Sequence, residues 1–212
     1  MRILGIDPGI TRCGIGIIDS MPDRTAKLVH VEVARSAANL AWQFRLKKIG
    51  DAIAAAIRVY EPEIMAIERV FAHDNLQSVT TTMQVMGVAM YVAASAGLPV
   101  AIHTPSEVKS AVTGSGTAGK AQVQEMVKRI LGQRKVIRPA DAADALAIAI
   151  THAWRGTGIA GETSDSTVSV SLSGKVSSRT QLTPAQQQWA QAAARIRQTG
   201  AVDPRRQKPR KN

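Results

Sequence analysis

Short apolar runs and turn-forming sequences alternate along the first part of the chain. Residues 3–7, 13–19 and 27–33 are rich in Ile, Val and alternating apolar positions, which is typical of β-strands. The sequences Asp7-Pro8-Gly9 and Met21-Pro22-Asp23 separate them and favour turns. This pattern predicts an antiparallel meander of three strands at the start of the fold.

Beyond residue 38 the apolar positions change to a helical period. Trp42, Leu46, Ile49 and Ile53 recur in steps of three and four, which predicts an amphipathic helix over 39–60, and Glu61-Pro62 ends it. The same reasoning predicts buried strands at 64–68 and 100–103, and further helices at 75–96, 105–112, 120–131 and 139–154. One of these helices lies between two strands. The sequence therefore predicts an α/β fold: a mixed five-stranded sheet with helices on both faces.

An uncharged run over 85–102 is long enough to span a bilayer, but Gly97-Leu98-Pro99 interrupts it. A helix ending at Gly97, followed by a short strand, explains the run without a membrane. Asp7 comes too early for a signal-like apolar region, and the single cysteine, Cys13, cannot form an internal disulfide. We expect a cytoplasmic protein with no membrane partner.

The positive charge is concentrated at the end of the chain. Residues 1–157 carry 18 Lys and Arg against 13 Asp and Glu, whereas residues 158–212 carry 9 against 3. The second segment is also rich in Ser, Thr, Gly and Gln, although 183–196 could form an isolated helix. We predict a folded domain at 1–157 and a basic, low-complexity, largely disordered extension at 158–212. The basic end of this extension has two possible interpretations: a solubilising tail or a contact with nucleic acid.

Four acidic residues interrupt or end runs that otherwise have core character. Asp7 ends the first apolar run, Glu68 ends the strand at 64–68, and Asp141 and Asp144 lie in an alanine-rich helix. Acids are rarely buried unless something compensates their charge. A bound divalent cation is the interpretation that accounts for all four together.

Helix geometry indicates how these acids could meet. Asp141 and Asp144 lie about 60° apart on one helix face, roughly one turn along the axis. The alanines around them are small enough to let the helix approach a sheet closely, and Asp7 and Glu68 would then have to lie on adjacent strands facing it. Such a group of oxygen ligands suits two Mg²⁺ ions, roughly 3.5–4 Å apart, that activate water and stabilise the leaving oxygen of a phosphodiester. Mn²⁺ is the other candidate cation.

Simpler interpretations exist for each acid. Asp141 could complement a helix dipole, Asp7 could belong to a turn, and Glu68 could pair with Arg69 at the surface. Among the histidines, His30 and His103 are typical of core residues, and His73 of a loop residue. His152 has nearly the azimuth of Asp141 but lies roughly 16 Å further along the helix, which excludes it as a ligand of the same site.

The sequence from Gly114 to Ala121 resembles a phosphate-binding loop. Gly119 and Lys120 are correctly spaced, but Ala121 cannot bind Mg²⁺ as Ser or Thr would, and the preceding segment has helical character. Nucleotide hydrolysis is therefore not predicted here. Backbone N–H groups around Gly114 and Gly116, flanked by Lys109 and Lys120, instead predict a contact with nucleic-acid phosphates. Phe71, near Glu68, could stack on an unpaired base or belong to the core.

These motifs, in this order, resemble the RuvC family of Holliday-junction resolvases, which have a ribonuclease-H-like fold. The resemblance rests on Leu4-Gly5-Ile6-Asp7-Pro8-Gly9, Ala66-Ile67-Glu68-Arg69-Val70-Phe71, the segment 105–123 and Pro139-Ala140-Asp141-Ala142-Ala143-Asp144-Ala145-Leu146-Ala147, and it covers residues 1 to about 156. Residues 158–212 depart from the family pattern, because these proteins commonly end soon after the last catalytic helix.

The resemblance implies a function and a set of roles. Asp7, Glu68, Asp141 and Asp144 would be the metal-binding catalytic acids, Phe71 would stack on junction bases, and Lys109 and Lys120 would contact DNA. The family implies a homodimer that makes paired symmetric nicks in four-way DNA alongside the RuvA and RuvB branch-migration proteins. Met83, Met86 and Met90 form either a dimer surface or a core stripe.

Two other functions remain open on the sequence. Asp7-Pro8-Gly9 followed by Gly14 and Gly16 resembles the phosphate hairpin of actin-like and sugar-kinase-like ATP-binding proteins. Such proteins need a second comparable domain, which residues 158–212 cannot supply. A non-catalytic DNA-binding scaffold is the third candidate, but such a protein would be expected to lose one or more of the acids.

Overall fold

The computed structural model describes residues 1–69 and 76–156, together with two short strands at Val168–Val170 and Val176–Ser178; the side chains of 76–78 and of those two strands lie outside the description. The chain divides into two units, Met1–Gly161 and Glu162–Asn212.

A mixed five-stranded sheet forms the centre of the first unit, as the sequence predicts. Its strands, in the spatial order β3-β2-β1-β4-β5, are β1 (Arg2–Asp7), β2 (Arg12–Ser20), β3 (Ala26–Arg35), β4 (Ile64–Glu68) and β5 (Val100–His103). The meander β1-β2-β3 is antiparallel, whereas β4 pairs in parallel with both β1 and β5. The carboxyl ends of the three parallel strands therefore meet at one edge of the sheet.

Five helices accompany this sheet, namely α1 (Trp42–Tyr60), α2 (Leu76–Ser95), α3 (Pro105–Thr113), α4 (Lys120–Ile130) and α5 (Ala140–Arg155). Most bounds agree with the prediction within one or two residues. α1 begins three residues later than predicted, because Ala41 has the extended backbone of an N-cap, with ψ of 146°. α3 begins sharply because Thr104 and Glu107 form a reciprocal capping box and Pro105 occupies the first turn.

The helices cover both faces of the sheet, and strand alternation separates two hydrophobic clusters. Leu4, Ile6 and Met65 point to one side, where they pack with residues of α1 and α2. Ile3, Ala66 and their neighbours point to the other side, where α3, α4 and α5 pack. Strands buried on both faces in this way have the nearly continuous apolar sequences seen in β1 and β4.

Glycines let α5 lie very close to the sheet. Gly5 and Gly16 are register partners on β1 and β2, and a Cβ added at Gly5 would lie 2.9 Å from the Ala149 nitrogen. A Cβ added at Gly14 would lie 2.9 Å from the carbonyl carbon of Asp141. Real Cβ atoms do not approach backbone atoms this closely, so glycine is required at these positions. The alanines of α5 were predicted to permit the approach, but the glycines facing them were not recognised.

The methionine row on α2 is not a continuous core stripe. Met86 packs against the cluster under α1 and α2, but Met83 is 52% exposed. The buried row of this helix is formed instead by Val85, Ala89 and Ala93. None of the helices in the described part of the chain combines the length and apolar character that crossing a bilayer requires. The apolar run 85–102 is divided between α2 and β5.

The second unit contains an antiparallel pair of short strands, β6 (Val168–Val170) and β7 (Val176–Ser178). The sequence analysis predicts no strands there. Valine favours extended backbone, which is consistent with the pair. The helix predicted at 183–196 lies outside the described residues.

Candidate active site

Asp7 and Glu68 lie at the carboxyl ends of neighbouring parallel strands. The last paired residues of β1 and β4 are Ile6 and Ile67, so the two acids follow at equivalent positions. Because side chains alternate along a strand, both carboxylates lie on the face opposite Ile6 and Ile67, which is the face covered by α5.

Asp141 and Asp144 come from the first two turns of α5. The helix begins at Ala140, after Pro139 in extended conformation, and Asp141 lies in its first turn. Ala142, Ala143 and Ala145 are buried against the sheet. The close packing of this helix brings both acids to the strand ends.

All four acids line a single cavity of about 290 Å³, which is also lined by Lys109 of α3 and Lys120 of α4. Three segments that are far apart in sequence thus meet at one place, and two cationic side chains line the same cavity. This is the convergence that the sequence analysis required.

The carboxylates are strongly perturbed electrostatically. Burial, followed by the charges of Asp144, Glu68 and Asp141, raises the pKa of Asp7 to about 7, against the lowering influence of Lys120. Burial, followed by the charge of Asp144, raises the pKa of Glu68 to about 7, against the lowering influence of Lys109 and Lys120. Burial also raises the pKa of Asp144, which Lys120 opposes. The acids therefore carry an unfavourable concentration of negative charge that a cation would relieve.

The donor set fits hard divalent cations such as Mg²⁺, because it consists of carboxylate oxygens without thiolate or imidazole. Within residues 1–69 and 76–156, no three Asp, Glu, His or Cys side chains are already gathered closely enough to surround an ion. The residue types and the cavity therefore suit the cation. Because the acids are not yet close enough to surround an ion, coordination would require them to move inward.

Lys120 is the first residue of α4, and the predicted phosphate loop leads into it from α3. A helix, and not a strand, precedes the loop, so the structure lacks the context of a nucleotide-binding loop. Gly114 ends α3 with φ of 81°, and its N–H already donates to the Ser110 carbonyl oxygen at 2.9 Å. Gly114 thus contributes a left-handed turn and not a free donor. Gly116 lies half-buried further along the loop.

None of the described histidines lines the cavity of the four acids. His103 and His152 are buried, and His103 Nε2 lies 3.1 Å from His152 Nδ1. Burial lowers the pKa of His103 to about 4. His30 is not a core residue as predicted: its side chain is 28% exposed and its ring stacks on Tyr60. Phe71 and His73 lie outside the described residues.

Sequence reasoning missed one charged neighbour of the acids. Arg12, at the start of β2, places its Nε 3.0 Å from Oδ2 of Asp141. The residues are 129 positions apart, and an exposed arginine after a turn gives no sign of its partner. Gly14 and Gly16, considered above as a possible phosphate hairpin, are covered by α5. Their backbone is not open to a nucleotide, which argues against the ATP-binding alternative.

Comparison with known proteins agrees with the geometry. The model of the family described as "Crossover junction endodeoxyribonuclease RuvC" matches residues 3–152. The chain belongs to the RuvC family. The RuvC protein of Leifsonia xyli subsp. xyli is 52% identical over 206 residues, which are 97% of this chain and 98% of that protein. The family is one of endodeoxyribonucleases, so the chain belongs to a family of enzymes.

Solved structures show the same fold. Thermus thermophilus RuvC in complex with a Holliday junction substrate is 35% identical, with a TM-score of 0.71 over 74% of this chain and 94% of that one. The yeast mitochondrial Holliday junction resolvase Ydc2 shares the fold at 15% identity and a TM-score of 0.50, over 71% of this chain and 77% of that one. The fold is thus the ribonuclease-H-like α/β fold of RuvC and related resolvases.

Proposed function

We propose that this protein is a structure-selective endonuclease that resolves four-way (Holliday) DNA junctions by paired symmetric nicks in recombination and repair. The observation that carries the proposal is the meeting of Asp7, Glu68 and the two acids of α5 in one lysine-flanked cavity. Membership of the RuvC family supports the choice of DNA substrate.

The four acids would hold two divalent cations, Mg²⁺ or Mn²⁺. When bound, such ions activate water for attack on a phosphodiester and stabilise the leaving oxygen. Asp7 and Glu68 contribute ligands from rigid strand ends, and Asp141 and Asp144 from a helix packed directly on the sheet. Because raised pKa values keep Asp7 and Glu68 partly protonated near neutral pH, their ionisation would accompany cation binding.

Lys109 and Lys120 would attract the DNA backbone to the cavity. Both line it and both lower the pKa of Glu68, so their charges act on the same space as the acids. A phosphate approaching the acids would otherwise be repelled. Gly116 and the loop before Lys120 would extend this phosphate contact, and Phe71 is proposed to stack on an unpaired base.

Paired nicks require two copies of the active site, and we propose a homodimer. The outer faces of α1 and α2 carry exposed apolar side chains, including Met83, Val59 and Tyr91, which is 73% exposed. Burying such side chains against a partner would remove apolar surface from water, which favours association. RuvA and RuvB are proposed as functional partners, and the cytoplasm as the place of action. Residues 1–157 would form the nuclease and 158–212 an accessory extension.

The test is cleavage of labelled four-way DNA and of linear duplex by wild type and Asp7→Asn, with and without Mg²⁺ or Mn²⁺. We expect cation-dependent cutting of the four-way substrate alone, and a loss of more than about a hundredfold in Asp7→Asn, because a direct ligand should matter more than a supporting one. Binding of four-way DNA should be largely retained.

Asp51→Asn is the matched control, since it makes the same chemical change on the exposed surface of α1. It should cut like wild type. An Asp7→Asn protein that still cuts would overturn the assignment of the acids. A wild-type protein that binds four-way DNA but never cuts it would favour the non-catalytic scaffold.

A further inference from the structure

An arginine outside the cavity wall is paired with one of the proposed metal-binding acids. The Arg12 guanidinium contacts Asp141 with Nε to Oδ2 of 3.0 Å, while its side chain is 57% exposed and that of Asp141 only 22%. Arg12 is absent from the residues that line the cavity, whereas Asp141 lines it. The arginine thus reaches a carboxylate of the site from the solvent side.

The backbone that carries Arg12 is held firmly. Arg45 of α1 is buried, and it donates from Nε to Ser36 Oγ at 3.0 Å and from Nη2 to Thr11 Oγ1 at 2.9 Å. Ser36 in turn donates its hydroxyl to the Ile10 carbonyl oxygen and its N–H to that of Thr11. The turn between β1 and β2 is thereby held at Ile10 and Thr11, directly before Arg12, so the Arg12 side chain can change partner while its backbone stays in place.

Arg12 and a divalent cation require the same carboxylate. A guanidinium in contact with Oδ2 neutralises Asp141 and adds positive charge beside the cavity, and both effects oppose the approach of a cation. Exposed ion pairs are weak, so a doubly charged ion can displace the arginine. A displaced guanidinium at the cavity rim has the planar fork of donors that suits a phosphate.

We propose that Arg12 is a partner-switching, phosphate-binding residue of the active site: it pairs with Asp141 until a divalent cation takes that carboxylate, and it then binds a phosphate of the DNA strand. The inference rests on the proposed function, because it assumes cations at the four acids. It adds a DNA contact whose strength depends on cation binding.

The first measurement is Mn²⁺ binding without DNA, followed by the loss of the free-ion signal in electron paramagnetic resonance. Arg12→Ala should bind Mn²⁺ about two- to fivefold more tightly than wild type, since a weak competing ion pair has been removed. Arg35→Ala is the matched control, because Arg35 is the exposed cross-strand neighbour of Arg12 and carries the same charge. It should change Mn²⁺ affinity by less than Arg12→Ala does.

The second measurement is the salt dependence of four-way DNA binding, in Ca²⁺ under conditions where no product forms and again in chelator. With Ca²⁺, Arg12→Ala should reduce the slope of log affinity against log salt by about 0.9, the loss of one phosphate contact. In chelator the slope should match that of wild type. For Arg35→Ala, the slope of log affinity against log salt should be the same in Ca²⁺ and in chelator.

The outcomes separate the two proposals. If wild type binds no Mn²⁺, the cation site itself fails, and the proposed function with it. If wild type binds Mn²⁺ but Arg12→Ala binds it no better than Arg35→Ala, only the role of Arg12 is overturned. A slope reduced equally with and without Ca²⁺ also overturns the switch, because Arg12 would then contact phosphate regardless of cations.

Discussion

The two faces of the central sheet are packed by different means. On the face of α1 and α2, large side chains such as Ile49, Ile53 and Met65 fill the space between helix and strand. On the face of α5, glycines of the strands meet alanines of the helix, and backbone approaches backbone. Both faces bury apolar side chains, but on the face of α5 strand glycines also let a helix backbone approach the sheet closely. That close approach brings the acids of α5 to Asp7 and Glu68.

This difference indicates where the protein can tolerate change. A loose fit beneath α1 lowers stability but leaves the acids where they are. A displaced α5 moves Asp141 and Asp144 away from Asp7 and Glu68. Activity should then fall even if the protein remains folded. Stability and activity should therefore respond separately to substitutions on the two faces.

The largest expected loss of stability comes from Ile53→Ala. Ile53 is fully buried in the cluster under α1, and truncating such a residue costs about 2–5 kcal/mol in free energy of unfolding. Urea unfolding measures this loss. The Mn²⁺ affinity of the folded protein should stay within about twofold of wild type, because the four acids keep their positions; a twofold change corresponds to only about 0.4 kcal/mol. A strong loss of cation affinity would show that the two faces are not independent.

Gly14→Ala should reduce cleavage more strongly than it reduces stability. The added Cβ would meet the Asp141 backbone, and relieving such overpacking costs about 1–3 kcal/mol. Because the helix must shift, cleavage of four-way DNA should fall more than about tenfold, as expected when catalytic groups are misplaced.

Gly50→Ala provides the control for Gly14→Ala, since its added Cβ would lie 2.9 Å from Cγ1 of Val88, between α1 and α2. It should also lower the free energy of unfolding by about 1–3 kcal/mol, but it should leave cleavage within about twofold of wild type, because α5 does not have to shift. If both glycine variants cut DNA normally, close packing of α5 is not what positions its acids.

The smallest effect concerns pH. Asp7 has a pKa of about 7 in the folded chain against 3.8 as its ordinary value, so between these pH values the folded chain binds more protons than the unfolded one. Its contribution to stability is therefore lost as pH rises through this window. In chelator, Asp7→Asn should be about as stable as wild type near pH 4 and more stable by on the order of 1–2 kcal/mol at pH 7.5.

Added Mg²⁺ should reverse that difference, because ions that bind only the folded wild type stabilise it by mass action. Urea unfolding at pH 4 and pH 7.5, with and without Mg²⁺, measures both effects. An Asp7→Asn difference that does not vary with pH would contradict the raised pKa of Asp7.

Sequence patterns predicted the sheet and the helices because local signals mark them. Pro62, the Thr104-Pro105 cap and the change from strand to helix period all fix boundaries to within a few residues. The late start of α1 had no such signal, since Ala41 makes no side-chain cap. The placement of Asp7 beside Glu68 could also be predicted, because parallel strands end at one edge.

Contacts chosen by tertiary packing could not be predicted. The ion pair of Arg12 with Asp141 and the contact of His103 with His152 join residues whose local sequence shows no complementarity. Gly14 and Gly16 were interpreted as a possible phosphate hairpin, because isolated glycines in a strand indicate only that some other group comes close. The structure shows that this group is α5. The roles of the four acids, Phe71, Lys109 and Lys120 in cleavage stay predictions.

The position of α5 at the end of the nuclease segment has a consequence for synthesis. A ribosome completes β1 and β4 long before it reaches Asp141, so a growing chain displays two of the proposed ligands without the other two. On the proposed function, such an unfinished chain would be unable to cleave DNA. If the four acids are the catalytic set, the order of elements along the chain delays cleavage activity until the fold is nearly complete.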